Sequence, residues 1–148
     1  MNEQVSTKPG VLSSEEINKL LSMTLIANLG TTDNDGTIHL LPMWFMRIGN
    51  EICIPTSHHT HKYRNLRARP HASVMIDVSK AGLDLKGVLI SGKVKLVGGK
   101  EAQQINRSIH LKYVTLEARQ IPDSHLKSST TDDHEVSTDL NSFRLKVS

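Results

Sequence analysis

The sequence is poor in aromatic residues, which make up 3% of its 148 positions: one tryptophan, two tyrosines and two phenylalanines. Proteins that bind single-stranded nucleic acid use aromatic side chains as platforms for stacked bases. The net charge of +3 is only mildly basic. A short basic run of Lys62, Arg64, Arg67 and Arg69 is present. It is too short, and too sparsely interleaved with aromatic residues, to favour a nucleic-acid partner.

Cysteine and long hydrophobic runs are also scarce. The single cysteine, Cys53, excludes an intrachain disulfide and lies within the apolar run 52–54, so we expect a buried, inert thiol. No apolar run approaches the ~20 residues that cross a membrane. Residues 1–10 are polar and lack a hydrophobic signal core. We therefore expect a soluble, cytoplasmic protein without a membrane partner.

The length and the distribution of polar segments predict one domain. Residues 1–12 are polar and rich in turn-forming types, which predicts a flexible N-terminal arm. Residues 13–148 are then a single domain. Within it, residues 118–138 are again polar and predict a flexible excursion.

Hydrophobic periodicity predicts a mainly β protein with short helices. Ser13 and Glu16 form a capping box that opens a helix. A longer helix is predicted over 98–117. Six strands are predicted, around residues 23–29, 38–46, 52–54, 72–77, 87–97 and 143–147. We expect the first three to form a meander, with Pro42 at a bulge or an edge. There is no β-α-β rhythm, so a small six-stranded antiparallel barrel fits best.

The junction between the 52–54 strand and the following helix has the composition of an anion site. Thr56 and Ser57 follow the strand, and Lys62 lies in the first turn of the helix. Hydroxyl groups, free backbone N–H groups and an ammonium can converge on one phosphate. From the residues alone, however, an ordinary helix cap followed by a solvated lysine is the better-supported interpretation.

Three histidines at the same junction, His58, His59 and His61, raise the question of a metal or haem. Zinc sites need three or four protein ligands, and each ligand is usually oriented by a hydrogen bond to another protein group. We therefore predict no metal site, treat haem as disfavoured, and assign the histidines to a polar loop. The spacing gives no nucleophile–base pair and no paired carboxylates, so no catalytic residue is predicted.

Several stretches, taken in order, resemble the pyridoxamine 5′-phosphate oxidase-like FMN-binding split-barrel family. They are Met-Thr-Leu-Ile-Ala-Asn-Leu-Gly-Thr at 23–31, Asp-Gly-Thr-Ile-His-Leu-Leu-Pro-Met-Trp-Phe at 35–45, Ile-Pro-Thr-Ser at 54–57 with His-Lys-Tyr-Arg-Asn-Leu-Arg-Ala-Arg-Pro-His-Ala-Ser-Val at 61–74, and Gly-Val-Leu-Ile-Ser-Gly-Lys-Val at 87–94. The similarity runs from about residue 12 to about residue 117. The resemblance implies an antiparallel split-barrel homodimer with two cofactor sites at the subunit interface.

The resemblance also implies which residues hold the cofactor, FMN or the related deazaflavin coenzyme. Thr56, Ser57 and Lys62 would bind its phosphate. Asn65 of the same Lys-x-x-Asn-Leu motif is a further cofactor-binding candidate. Met43 and Trp44 would line its ring system. For Trp44, packing in the core or at the dimer interface is an equal alternative.

The implied function is a flavin-dependent oxidoreductase that transfers hydride to or from a small organic substrate. Two alternatives stay open: a deazaflavin-dependent reductase, and a non-catalytic flavin- or haem-binding module of the same fold. The sequence lacks the C-terminal Arg-x-His region of true pyridoxamine-phosphate oxidases. That compound is therefore not the expected substrate.

Overall fold

The computed structural model describes residues 10–79, 85–118 and 140–147. Its helices are α1 (Ser14–Ser22), α2 (His61–Ala68) and α3 (Gly99–Ala118). Its strands are β1 (Ala27–Thr32), β2 (Ile38–Met43), β3 (Met46–Ile48), β4 (Glu51–Ser57), β5 (His71–Asp77), β6 (Gly87–Val97) and β7 (Leu140–Lys146). The strands form one sheet of seven in the order β2-β1-β5-β6-β7-β4-β3, with antiparallel neighbours throughout. The predicted mainly β architecture with short helices is confirmed.

The predicted second strand, 38–46, is two strands in the structure. β2 pairs with β1 and β3 pairs with β4, and only Trp44 and Phe45 separate them in the chain. The predicted meander of three strands is therefore wrong, and the strand count is seven. Because β2 and β3 are consecutive in the chain yet lie at opposite ends of the sheet order, the sheet curls into a split barrel. Pro42 lies on the edge strand β2, as expected for a residue without a backbone donor.

Strand β6 has the predicted bounds and joins the two halves of the sheet. Residues 87–93 pair with β5, and residues 94–97 pair with β7. Alternate residues of β6 face inward, with Ile90 and Val94 buried. Gly92 lies just before the change of partner, a position where a residue without a side chain allows the strand to bend.

Apolar side chains form two clusters. The larger one fills the barrel and includes Leu29, Ile54, Val74 and Phe143, all fully buried. The smaller one lies where α3 covers the sheet, and consists of Cys53, Val97, Ala102, Ile105, Ile109 and Tyr113. Burial raises the pKa of the Cys53 thiol to about 11, which keeps it protonated and unreactive.

The helix boundaries follow the predicted signals. Ser13 caps α1, and its capping box with Glu16 is formed in both directions. Most of the predicted N-terminal arm and nearly all of the excursion at 118–138 lie outside the described residues. None of the described helices is long and apolar enough to cross a membrane.

Candidate functional site at the junction of β4 and α2

Three hydroxyl residues meet where β4 ends and α2 begins. Thr60 is the N-cap of α2: its Oγ1 accepts a hydrogen bond from the backbone N–H of Tyr63 (3.4 Å) and donates to the carbonyl of Ser57 (2.7 Å). Thr56 Oγ1 lies 3.2 Å from Thr60 Oγ1. The sequence prediction assigned hydroxyls here but missed Thr60 as the cap. Its position directly before the first helical residue is the signal that could have identified it.

Lys62 lies in the first turn of α2, two residues after the N-cap Thr60. It is half-buried, and desolvation lowers the pKa of its ammonium. Within the described part of the chain, its ammonium has no hydrogen-bond or ion-pair partner. A cation that is partly removed from water without a partner gains most when an anion arrives. The free N–H groups of the first helical turn favour the same charge.

Asn65 is buried and fastens α2 to the end of β1. Its Nδ2 donates to Thr31 Oγ1 (3.1 Å) and to Asp33 Oδ1 (2.6 Å). Its Oδ1 accepts from Arg69 Nη2 (3.2 Å), and Arg69 Nε donates to the carbonyl of Thr32 (2.7 Å). Both ends of the Asn65 amide are therefore held by protein groups. Asn65 contributes to the site by fixing the helix that carries Lys62.

His61, the first residue of α2, joins the same network. Its Nε2 lies 2.7 Å from Asp33 Oδ1, and its ring stacks on His39 of β2 at 4.3 Å between centroids. The hydrogen bond from Asn65, and then His61, holds the pKa of the Asp33 carboxyl below its usual range. His58 directly follows β4 and contacts β7 instead, with its Nδ1 3.0 Å from Asn141 Nδ2. Among the described residues, no three metal-ligating side chains come together.

Met43 and Trp44 lie at the other end of β2. Met43 packs against the barrel core, and the Trp44 ring stacks on Tyr113 of α3 at 4.9 Å with planes 7° apart. His39 and Met43 are four residues apart on one strand, a separation of roughly 13 Å. Thr56 and Ser57 therefore end β4 and Lys62 and Asn65 lie on the helix that follows, whereas Met43 and Trp44 lie at the end of β2 that is far from His39.

The peptide after Trp44 is held by side chains of α3. Tyr113 Oη accepts from the backbone N–H of Phe45 (3.2 Å) and donates to the carbonyl of Leu25. Lys112 Nζ donates to the carbonyl of Phe45 (3.0 Å). Sequence reasoning missed both contacts because no local pattern links α3 to this break.

The outer face of β2, β1, β5 and β6 forms a shallow apolar groove of about 510 Å³. Leu40 and Leu89 project into it and are 68% and 62% exposed. Ile38 and Met75 add to this apolar surface. At Gly30, in the middle of β1, a Cβ atom would meet Leu40 Cδ2 at 3.3 Å, so a side chain there would have to displace the exposed Leu40 side chain.

Comparison with solved structures finds the same fold in proteins of several functions. A conserved hypothetical protein from Mycobacterium tuberculosis is 25% identical, with a TM-score of 0.72 over 93% of this chain and 81% of that chain. An F420 reductase is 19% identical, with a TM-score of 0.66 over 88% and 92%. The haem storage protein HutZ from Vibrio cholerae is 16% identical, with a TM-score of 0.63 over 91% and 89%.

No curated protein matches the sequence. A family model described as pyridoxamine 5′-phosphate oxidase matches residues 13–137. That match covers the barrel strands β1–β6, all three helices and the β4–α2 junction. The chain therefore belongs to the pyridoxamine 5′-phosphate oxidase family and has that family's split-barrel fold.

Proposed function

We propose that the protein binds FMN and acts as an oxidoreductase that transfers hydride to or from a small organic substrate. The observation that carries the proposal is Lys62, a half-buried ammonium without a partner in the described structure, in the first turn of the helix that follows Thr56 and Ser57. A phosphate is the anion that hydroxyls, backbone N–H groups and an ammonium bind together. Membership of the family supports the choice of a flavin phosphate.

The donor set of this chain suits the two ends of such a cofactor. Thr56, Ser57 and Lys62 would hold the phosphate, and Asn65 would keep α2 in place. Met43 and Trp44, farther along β2, would contact the ring system. A bound flavin supplies the hydride chemistry, and the protein supplies orientation and electrostatics.

A deazaflavin coenzyme is the alternative cofactor, and an F420 reductase among the similar structures favours considering it. Its longer anionic tail would need an open basic groove next to the phosphate. The cleft beside α2, about 560 Å³, is open and includes Arg64 and Arg69, but Asp33 and Asp35 also line it. Its mixed charge gives no advantage to a polyanionic tail, so FMN stays the first choice.

A non-catalytic flavin- or haem-binding module is the alternative function, since a haem storage protein shares the fold. Catalytic turnover of the bound cofactor distinguishes an oxidoreductase from a non-catalytic binding module. If NAD(P)H reduces the bound cofactor and an organic acceptor reoxidises it, the protein is an enzyme. A cofactor that stays bound and redox-silent with every acceptor tried would indicate a carrier.

We also propose that the protein is a homodimer and that a second copy covers the groove on the outer face of β2, β1, β5 and β6. Ile38, Leu40, Met75 and Leu89 make this face apolar and exposed. A contiguous apolar sheet face is typical of an interface between subunits. The edge strand β2 belongs to this face and leads into Met43 and Trp44, so a second copy would come close to the ring end of the site.

The direct test is the absorption spectrum of the purified protein, with mass spectrometry of whatever it releases, followed by titration with FMN. The Lys62→Ala variant should bind FMN about 1–3 kcal/mol more weakly, the scale of a charge-assisted hydrogen bond. Lys100→Ala, which removes an exposed lysine from α3, is the matched control and should bind normally. Protein that binds neither FMN nor deazaflavin above background would overturn the proposal.

A further inference from the structure

The break between β2 and β3 leaves backbone groups that the sheet does not pair. Phe45 lies in this break and is fully buried, so its N–H and carbonyl need partners inside the protein. Both come from neighbouring residues of α3: Tyr113 Oη accepts from the N–H, and Lys112 Nζ donates to the carbonyl. Two side chains of α3 thus provide the hydrogen bonds that a neighbouring strand would otherwise make to the Phe45 backbone.

Lys112 is an unusual choice for this position. Its ammonium lies 4.2 Å from the centre of the Phe45 ring and 5.2 Å from that of Tyr113. Within the described part of the chain, no carboxylate pairs with it. Burial lowers the pKa of Lys112 to about 8, so keeping a charge here opposes folding. The hydrogen bond from this desolvated ammonium to the Phe45 carbonyl is explained if the protein needs the Phe45 peptide in a fixed position.

The residue directly before this peptide is Trp44. Its ring stacks on Tyr113, and the ring of His110 on the same helix lies 6.1 Å away. The backbone on one side of Trp44 and the ring itself are therefore both held by α3. Met43, the last residue of β2, precedes it.

We propose that Lys112 and Tyr113 are positioning residues that fix the Met43–Trp44 segment against the ring system of the cofactor. This inference rests on the proposed function, since it needs a ring to be bound at Met43 and Trp44. Neither residue is assigned contact with the cofactor. They act through the Phe45 peptide and, for Tyr113, through the Trp44 ring.

The affinities for FMN and riboflavin distinguish this positioning role from phosphate binding. Riboflavin has the ring system of FMN but no phosphate. In Lys112→Met and Tyr113→Phe, the dissociation constants for FMN and riboflavin should rise by the same factor, about tenfold. In Lys62→Ala, only the constant for FMN should rise. A Lys112→Met variant that loses FMN but binds riboflavin normally would overturn the inference.

The single tryptophan gives a readout that needs no cofactor. In Lys112→Met, the emission of Trp44 should shift to the red and its quenching by acrylamide should increase. Lys112→Arg, which keeps the charge and the donor, should restore both properties. If wild-type protein binds neither flavin, the proposed function fails, whereas the positioning of Trp44 by Lys112 is still decided by this measurement.

A purely structural role is tested with Ile90→Val, which removes a methylene from a buried residue of β6 that lies outside the cluster against which Trp44 packs. We expect it to lower the melting temperature but to leave Trp44 emission and riboflavin binding unchanged. Equal effects of Ile90→Val and Lys112→Met on Trp44 emission, at equal loss of stability, would overturn the inference. So would a Lys112→Met variant with wild-type Trp44 emission.

Discussion

Because Lys112 is held in a partly desolvated position, the stability of the protein should depend on pH through this residue. Desolvation lowers the pKa of the folded-state ammonium to about 8, from an ordinary value of 10.5. Between these two values the unfolded chain holds a proton that the folded protein has lost. Stability rises with pH wherever the unfolded state binds more protons. Lys112 therefore opposes folding most below pH 8, and this cost falls as pH rises from 8 towards 10.5.

The magnitude follows from the same values. One proton of difference changes the free energy of unfolding by about 1.4 kcal/mol per pH unit. Between pH 7 and 9, the folded and unfolded states differ by nearly a full proton only above the folded-state pKa of about 8. The interval from pH 8 to 9 therefore supplies most of the change in the free energy of unfolding. Solvent around a half-buried ammonium reduces the effect, which leaves about 1 kcal/mol. For a chain of this length, that corresponds to a few degrees in melting temperature.

The assay is urea unfolding of the wild type and Lys112→Met at pH 7 and pH 9, followed by far-ultraviolet circular dichroism. Methionine has no charge to desolvate, so the stability of the wild type relative to the variant should increase by about 1 kcal/mol between the two pH values. Cys53 and Tyr113 have raised pKa values and would destabilise the protein above pH 9. Both are present in each protein, and their effects cancel in the difference.

Lys100→Met is the control, since Lys100 is exposed on the same helix. Its stability relative to the wild type should not change between pH 7 and 9. If the wild type and Lys112→Met also differ by the same amount at both pH values, Lys112 titrates as a solvated lysine. That result would refute both the desolvation argument and the idea that its charge is held at a cost.

Two further predictions concern the fixing of α2 and the sheet face. Asn65→Ala leaves the hydroxyl of Thr31, which is 2% exposed, without its donor, and should lower the free energy of unfolding by about 2–3 kcal/mol in chemical denaturation. Leu40→Glu places a charge in the apolar groove and should convert a dimer to a monomer in sedimentation equilibrium. Leu111→Glu, at an exposed leucine of α3, should leave the dimer intact; a wild-type monomer would contradict the assignment of that face.

The regular parts of the fold were predictable from local pattern. The bounds of β6 follow from the alternation of Ile90 and Val94 with exposed residues between 87 and 97. Helix α1 begins at its capping box because Ser13 and Glu16 satisfy each other's backbone N–H groups. The six predicted strands are present, with one of them divided. These features depend on neighbours within a few residues, which a sequence shows directly.

The break at Trp44 and Phe45 could not be predicted in the same way. The run from Ile38 to Met46 is apolar except for His39 and gives no turn signal except Pro42. The chain leaves the sheet here because Lys112 and Tyr113, nearly 70 residues later, provide partners for the Phe45 backbone. The contacts of Asn65 with Thr31 and Asp33 are equally distant in sequence, at 34 and 32 residues. Local periodicity contains no information on such pairs.

Strand β2 connects the two ends of the proposed site, and helices hold it at both. Near its start, His39 stacks on His61, the first residue of the helix that carries Lys62. Directly after its end, Phe45 is held by α3. The distance between a phosphate at Lys62 and a ring at Trp44 is thus fixed by a strand of set length rather than by a loop. A cofactor whose phosphate and ring are matched to that distance should bind more tightly than the sum of separate phosphate and ring ligands suggests, because both subsites are already in place before it arrives.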